Sequence, residues 1–253
     1  MEAIGTYRSM EERTYANYKR SFLNDRFSFF NNVIRIPGYR KLLLYLFARF
    51  AADAHEEYLL RGIGDDVYFD TFSDLRIWCM GCARDYGEYG IEEYNWLQEH
   101  VQLRLFRLGR LQFQPYPIDR EVRIDGRTVF RHQIVLNVHI PEGQPLDPIA
   151  VEESFARAAA FFRGISPVFM CHSWLLDPAL ADMLPTDSNI LRFQRHFRIY
   201  DVDAKAREAE QRIFLRVADD PESYEEGTSL QRNAKAHLMA GRKLGRGFGI
   251  KVL

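Results

Sequence analysis

The chain has 253 residues, 47% apolar and 27% charged, which supports a buried core and excludes a disordered chain. Its 34 basic and 35 acidic residues give a formal net charge of -1, so no global field draws it to nucleic acid or to an anionic membrane. Three cysteines do not make a disulfide framework.

The opening stretch, MEAIGTYRSMEERTYANYKR, is polar and charged and does not read as a secretion signal. The longest apolar candidate, Leu42–Phe47, is flanked by Arg40, Lys41 and Arg49 and is too short for a bilayer. The expected location is the cytoplasm, with no membrane and no nucleic-acid partner. Residues 11–106 read as helical. Phe22 and Phe29 lie two turns apart, and Phe29 and Phe30 each lie one turn from Val33. Pro37-Gly38 breaks the chain. Residues 39–60 carry an apolar stripe and end at Arg61-Gly62. Asp65 or Asp66 opens the next helix, with Phe72, Leu75, Trp78, Cys79 and Cys82 on one face. Ile91, Tyr94, Leu97, Val101, Leu105 and Leu108 then form a long amphipathic helix that stops at Gly109.

At Leu108–Phe113 the period changes. Arg110-Leu111-Gln112-Phe113-Gln114 alternates as a half-buried strand does, and Asp125-Gly126 signals a hairpin. In 129–140, apolar Ile134, Leu136, Val138 and Ile140 alternate with polar Gln133, Asn137 and His139. Residues 110–140 therefore predict two or three antiparallel strands. Asp147 is an N-cap with Pro148 at the first helical position, opening a helix to about Phe162. Val168–His172 is a short buried strand and Pro178–Met183 a short helix. Asp187 or Ser188 caps a helix through Arg195, and 197–202 alternates as a strand. Residues 205–217 read as helix or helix plus strand, 219–227 as an acidic loop, 230–241 as helix, and Gly247–Leu253 as a last strand. The fold class is α+β or α/β: a helical N-terminal region over 1–108 and a sheet domain over 109–253. If the two make one continuous fold, Leu108, Leu111 and Phe113 are expected to be buried.

Five stretches carry a family resemblance: LFRLGRLQF (105–113), VLNVHIPEGQPLDP (135–148), CHSWLLDPAL (171–180), LPTDSNILRFQRHF (184–197) and TSLQRNAKAHLMAGRKLGRGFGI (228–250). With them the chain resembles a bacterial acyltransferase-domain family. That family joins an N-terminal helical N-acyltransferase-like region to a C-terminal GNAT-like domain. The resemblance implies a mixed sheet, with antiparallel hairpin strands and two splayed parallel strands flanked by helices. Acetyl-CoA or another acyl-CoA would sit where 135–140 and 168–172 part, against Val138, Ile140 and Cys171. The helix opening at Asp147 would turn its positive end toward the pyrophosphate. The implied activity is direct acyl transfer from a thioester to an amine on a small-molecule substrate. The alternative is an inactive GNAT-like module that binds a small ligand or a protein. Nothing in the sequence sets the oligomeric state.

Several side chains could serve that chemistry. His172 and Ser173 end the second splayed strand. A histidine there can take a proton from an attacking amine, and Ser173 can orient a substrate or a leaving thiolate. The plainer reading has His172 capping the helix at Pro178. His139, at the end of the first splayed strand, and Glu142 in the next turn are alternative bases. Arg242, Gly245 and Gly247 match by letters the R-x-x-G-x-G loop that closes on pyrophosphate. They follow a helix, whereas that loop should follow the first splayed strand, so a basic surface turn is the preferred reading. Cys79 and Cys82 read as two half-buried helix cysteines, since zinc wants four ligands and the third cysteine is Cys171. Tyr86, Tyr89, Tyr94 and Trp96 read as core and helix-contact residues.

Overall fold

A computed structural model describes residue 5 and residues 7–253. The chain packs as two units. One takes the residues up to Leu108 together with Pro141–Gly143, and the other takes Gly109–Ile140 and Gln144–Leu253.

The first unit contains α1 (Glu12–Asn24), α2 (Arg26–Val33), α3 (Tyr39–Leu60), α4 (Asp65–Phe72), α5 (Asp74–Tyr86), α6 (Tyr94–Val101) and a short strand β1 (Phe106–Leu108). Its core is aromatic. Phe22 stacks on Phe50 at 4.8 Å and meets Phe29 edge-on at 5.5 Å, geometries that add to plain burial.

Two expectations fail here, for local reasons. The helix expected from 65 through Cys82 breaks at Ser73, whose hydroxyl donates to the Asp70 carbonyl at 2.6 Å; a serine can satisfy the backbone in place of the helix ladder. The break starts α5 at Asp74, whose buried carboxylate accepts the Trp96 indole N–H at 3.0 Å and pairs with His100 at 2.9 Å. The long helix expected to reach Leu108 ends at Val101. Leu103 adopts φ 52°, and the backbone N–H of Arg107 donates to Thr71 Oγ1 at 2.9 Å. Tertiary bonds override a continuous apolar stripe.

The second unit contains β2 (Leu111–Pro117), β3 (Val122–Ile124), β4 (Arg127–Val129), β5 (Ile134–His139), α7 (Pro148–Phe161), β6 (Val168–Ser173), α8 (Asn189–Gln194), β7 (Arg198–Asp203), α9 (Glu208–Phe214), α10 (Ser229–Met239) and β8 (Arg246–Val252). Residues 110–140 thus hold four strands, because Asp125 and Gly126, at φ 48° and 76°, close a separate β3–β4 hairpin. The other strands lie in the order β2-β5-β6-β8-β7. β5 and β6 are parallel and the remaining pairs antiparallel.

The two faces of this sheet are covered differently. On one, Phe113, Phe155 of α7 and Phe169 meet edge to face at 5.1 to 6.0 Å. On the other, the hairpin packs Ile118, Val122 and Val129 with Val135, Val168, Met170 and Ile250. Leu108, Leu111 and Phe113 are all buried. Among the described residues, no helix is long and apolar enough to cross a membrane.

Candidate active site

The site is set by where a ladder stops. β5 and β6 pair only at Leu136 with Phe169 and at Asn137 with Met170. β5 continues beside β2 as far as His139 opposite Gln112. β6 continues beside β8 as far as Ser173 opposite Gly247. Val138–His139 and Cys171–Ser173 therefore face each other across a fork at the C-terminal ends of two parallel strands, the place where open α/β sheets hold ligands. Helix α7 connects the two arms. Asp147 is its N-cap, accepting from Ala150 N at 3.0 Å, and Pro148 follows.

The sheet pleat sorts the side chains. Val138 lies on the α7 face with Phe113, its register partner, and is buried; Ile140, just past the strand end, is half-buried. His139 lies on the hairpin face with Asn137, Gln112 and Gln114, and its Nε2 is 3.3 Å from the Gln114 side-chain oxygen. On the second arm, Cys171 is fully buried, and burial pushes its thiol far above the usual range. It is not a thiolate nucleophile.

His172 also points to the hairpin face, against Phe248 at 4.5 Å, with Tyr200 Oη 3.4 Å from its Nε2. Burial is the main cause that lowers its pKa to about 4; Asp119 opposes this, and Arg120 and Arg246 add to it. Tyr200 beside it is pushed up to about 12, mainly by burial. Ser173 is buried, and its Oγ accepts from Leu175 N at 3.2 Å, capping a short 3-10 turn. Glu142 is exposed, in the Pro141–Gly143 segment that belongs to the first unit.

The R-x-x-G-x-G match is not a phosphate loop. Gly247 stands inside β8, opposite Ser173 and Val202. A Cβ there would overlap the Leu176 carbonyl oxygen, and one at Gly245 would overlap that of Asp203. The backbone N–H of Gly245 is taken by buried Asp177 Oδ2 at 2.6 Å. Arg242 is exposed, 3.8 Å from Asp182. These glycines allow backbone to approach backbone. Asp147 has a structural task that is visible in the fold. Its carboxylate accepts from one of the N–H groups of the first helical turn and so caps α7.

Three features escaped the sequence reading. Gln114 meets His139 only because of a register that the strand pattern does not contain. Buried Arg110 donates to the carbonyls of Gln144 and Pro145 at 2.7 and 2.9 Å, fixing the loop before α7. Ser154 of α7 accepts from Arg110 N at 2.7 Å and Leu111 N at 3.3 Å, where Gly109 turns at φ 84°. Cys79 is half-buried and Cys82 buried; both thiols are raised by burial, Cys82 to about 11. Among the described residues no three His, Cys, Asp or Glu side chains gather to hold a metal ion.

Comparison with known proteins places this geometry. Residues 2–103 match the N-acyltransferase N-terminal domain and residues 105–251 the GNAT-like C-terminal domain. Similar solved structures include an acyltransferase in complex with decanoyl-CoA and teicoplanin, 28% identical, with 96% of this chain and 76% of that chain covered at a TM-score of 0.75. An acyltransferase mutant in complex with octanoyl-CoA is 30% identical, with 85% and 67% covered at a TM-score of 0.72. An acyltransferase in complex with decanoyl-CoA is 28% identical, with 86% and 67% covered at a TM-score of 0.73. No curated protein matches the chain. With both halves accounted for and the fork in the expected place, the chain belongs to the acyltransferase family that joins an N-acyltransferase N-terminal domain to a GNAT-like C-terminal domain.

Proposed function

We propose that this protein is an acyl-CoA-dependent N-acyltransferase that moves an acyl group directly from the thioester to the amine of a small molecule. The observation that carries this reading is the fork between β5 and β6, with α7 starting just beyond its first arm. A strand edge released from its ladder can pair with the amides of a pantetheine arm, much as an added strand would. The first-turn N–H groups of α7 left by the Asp147 cap can meet the pyrophosphate. The amine nitrogen attacks the thioester carbonyl carbon, the C–N bond forms, the C–S bond breaks, and CoA leaves as a thiolate. The amine must lose a proton on the way.

His139 is the base that fits best. It sits on the fork's first arm, on the strand face it shares with Gln112, Gln114 and Asn137, whereas His172 is held too weakly basic to take a proton well near neutral pH. Glu142 is a second carrier to be tested by E142Q. The support from relatives is that the similar acyltransferases were solved with octanoyl-CoA, decanoyl-CoA and, in one case, teicoplanin.

Calorimetric titration with acetyl-CoA, octanoyl-CoA and decanoyl-CoA tests the reading, alongside thiol release in the presence of amine acceptors. Saturable binding and amine-dependent release of CoA are expected. Absence of binding by all three at millimolar concentration overturns the proposal and leaves a GNAT-like binding module.

A further inference from the structure

Around the start of β8 the arginines have their charges met, and two lysines do not. Arg242 lies 3.8 Å from Asp182, and Arg246 pairs with Glu208 at 2.6 Å. Arg207 grips buried Glu210 with two nitrogens, at 2.8 and 2.6 Å, and reaches Asp219 at 3.4 Å. Lys205 and Lys243 are exposed, and among the described residues neither ammonium has an ion-pair partner. Both line one cleft of about 270 Å³, together with Arg207, Glu210 and apolar Leu238 and Leu244. The turns that carry the lysines are fixed. Lys205 N donates to Asp203 Oδ1 at 2.9 Å, and the Lys243 carbonyl oxygen lies 3.2 Å from Nε2 of buried His237. Gly245 brings the second turn so close to the first that a Cβ would meet the Asp203 carbonyl oxygen at 2.6 Å.

From this cleft we infer that Lys205 and Lys243 form an anion site that holds a carboxylate or phosphate group of the acyl acceptor. That the occupant is an acceptor rests on the proposed acyl transfer; the anion site itself does not. Arg207 and Glu210 cancel one another, so the two ammonium groups set the sign of the cleft, tempered by the Asp203 carboxylate on the same turn as Lys205. An ammonium is a compact charge with three donors and takes either anion without a fixed fork. Leu238 and Leu244 offer an apolar wall to the rest of the ligand. The backbone takes no part, since the Gly245 N–H is held by Asp177. Position points to the acceptor. β7 ends at Asp203 opposite Arg246, and Gly247 stands opposite Ser173 of the fork. The cleft therefore opens at the same sheet edge as the fork, two strand spacings or about 10 Å away, a distance one small molecule can span. The helix end proposed for the pyrophosphate follows the other arm, β5, which leaves the β7 side to the acceptor.

Amide NMR of nitrogen-15-labelled full-length protein, titrated with inorganic phosphate, tests the site. Saturable shifts at 203–207 and 238–246 are expected, and their loss in the K205Q/K243Q double variant, which replaces exposed side chains and should not disturb the fold. Shifts that never saturate, or that persist in the double variant, overturn the inference. Acyl transfer tests the occupant. With an amine that carries a carboxylate or phosphate, the double variant should raise the acceptor KM about tenfold more than with the same amine whose anionic group is capped as an amide or ester. Affinity for decanoyl-CoA, measured by calorimetry, should hold. Equal changes for charged and capped acceptors overturn the assignment. So does weakened binding of decanoyl-CoA, which would give the cleft to the cofactor's own phosphates. A protein that transfers no acyl group to any amine fails the broader reading alone, and the phosphate titration still decides the anion site.

Discussion

The two arms of the fork each carry a histidine, at the end of β5 and one residue before the end of β6, and the two rings have met different fates. On the β5 arm, His139 lies among Gln112, Gln114 and Asn137, with an amide oxygen at hydrogen-bonding distance. On the β6 arm, His172 lies against Phe248 and near Tyr200, and burial depresses its basicity. The residue type is the same, and so is its place near the end of a strand. What differs is the neighbour supplied by the adjoining strand: β2 offers amides, and β7 and β8 offer aromatic rings. A histidine at a strand end becomes a candidate for proton transfer or a packing residue according to that neighbour. The sequence of its own strand does not decide it.

The largest expected effect separates the arms by rate. H139A should lower kcat by about a hundredfold or more, the usual contribution of a positioned base, while H172A should stay within about threefold; steady-state acyl transfer checks both. Equal losses would erase the distinction. The next prediction concerns the support behind the β6 arm. G247A drives a Cβ into the Leu176 carbonyl opposite Ser173. It should cost on the order of 3 kcal/mol in chemical denaturation, whereas R242A on the exposed turn should change stability by less than about 0.5 kcal/mol.

Acid should expose the packed ring. A histidine whose pKa falls from 6.5 to about 4 on folding binds fewer protons native than unfolded, so stability rises with pH across that window and is lost as pH falls from 6.5 toward 4. H172Q should remove on the order of 2 kcal/mol of that acid sensitivity, measured as unfolding free energy against pH. An unchanged slope would mean that the ring is not truly desolvated. The smallest effect belongs to the loop after the β5 arm. D147A loses an N-cap and should cost about 1 kcal/mol. It also removes a negative charge from the helix end proposed for the pyrophosphate, so CoA affinity should hold or improve. A clear loss of CoA binding would restore Asp147 as a ligand.

Much of the fold was legible because local chemistry agreed with the global result. Asp147-Pro148 opens α7, Ser188 caps α8, and Asp125-Gly126 turns a hairpin, each read from a few adjacent residues. The parallel placement of β5 and β6 came with the family resemblance, not from periodicity. Failures came where a distant partner decided. Thr71, 36 residues away, draws Arg107 into a strand and ends a helix that its apolar stripe would have continued. The site follows the same pattern. His139 was visible as a polar residue at a strand end, and Gln114 as one of an alternating pair, but only the β2–β5 register joins them. Gly245 and Gly247 show the converse, a motif whose letters fit a phosphate loop while its surroundings use them for close backbone packing.

The position of β8 bears on how the second unit is made. The last strand in chain order lies inside the sheet, between β6 and β7. Until Val252 has left the ribosome, those two strands have no partner between them, and the aromatic wall around His172 lacks Phe248. β2, β5 and α7 can associate earlier, while the β6 edge stays open to wrong partners. The arm bearing the proposed base can therefore take shape during synthesis. The β6 arm waits for β8, through contacts of long sequence separation that form slowly.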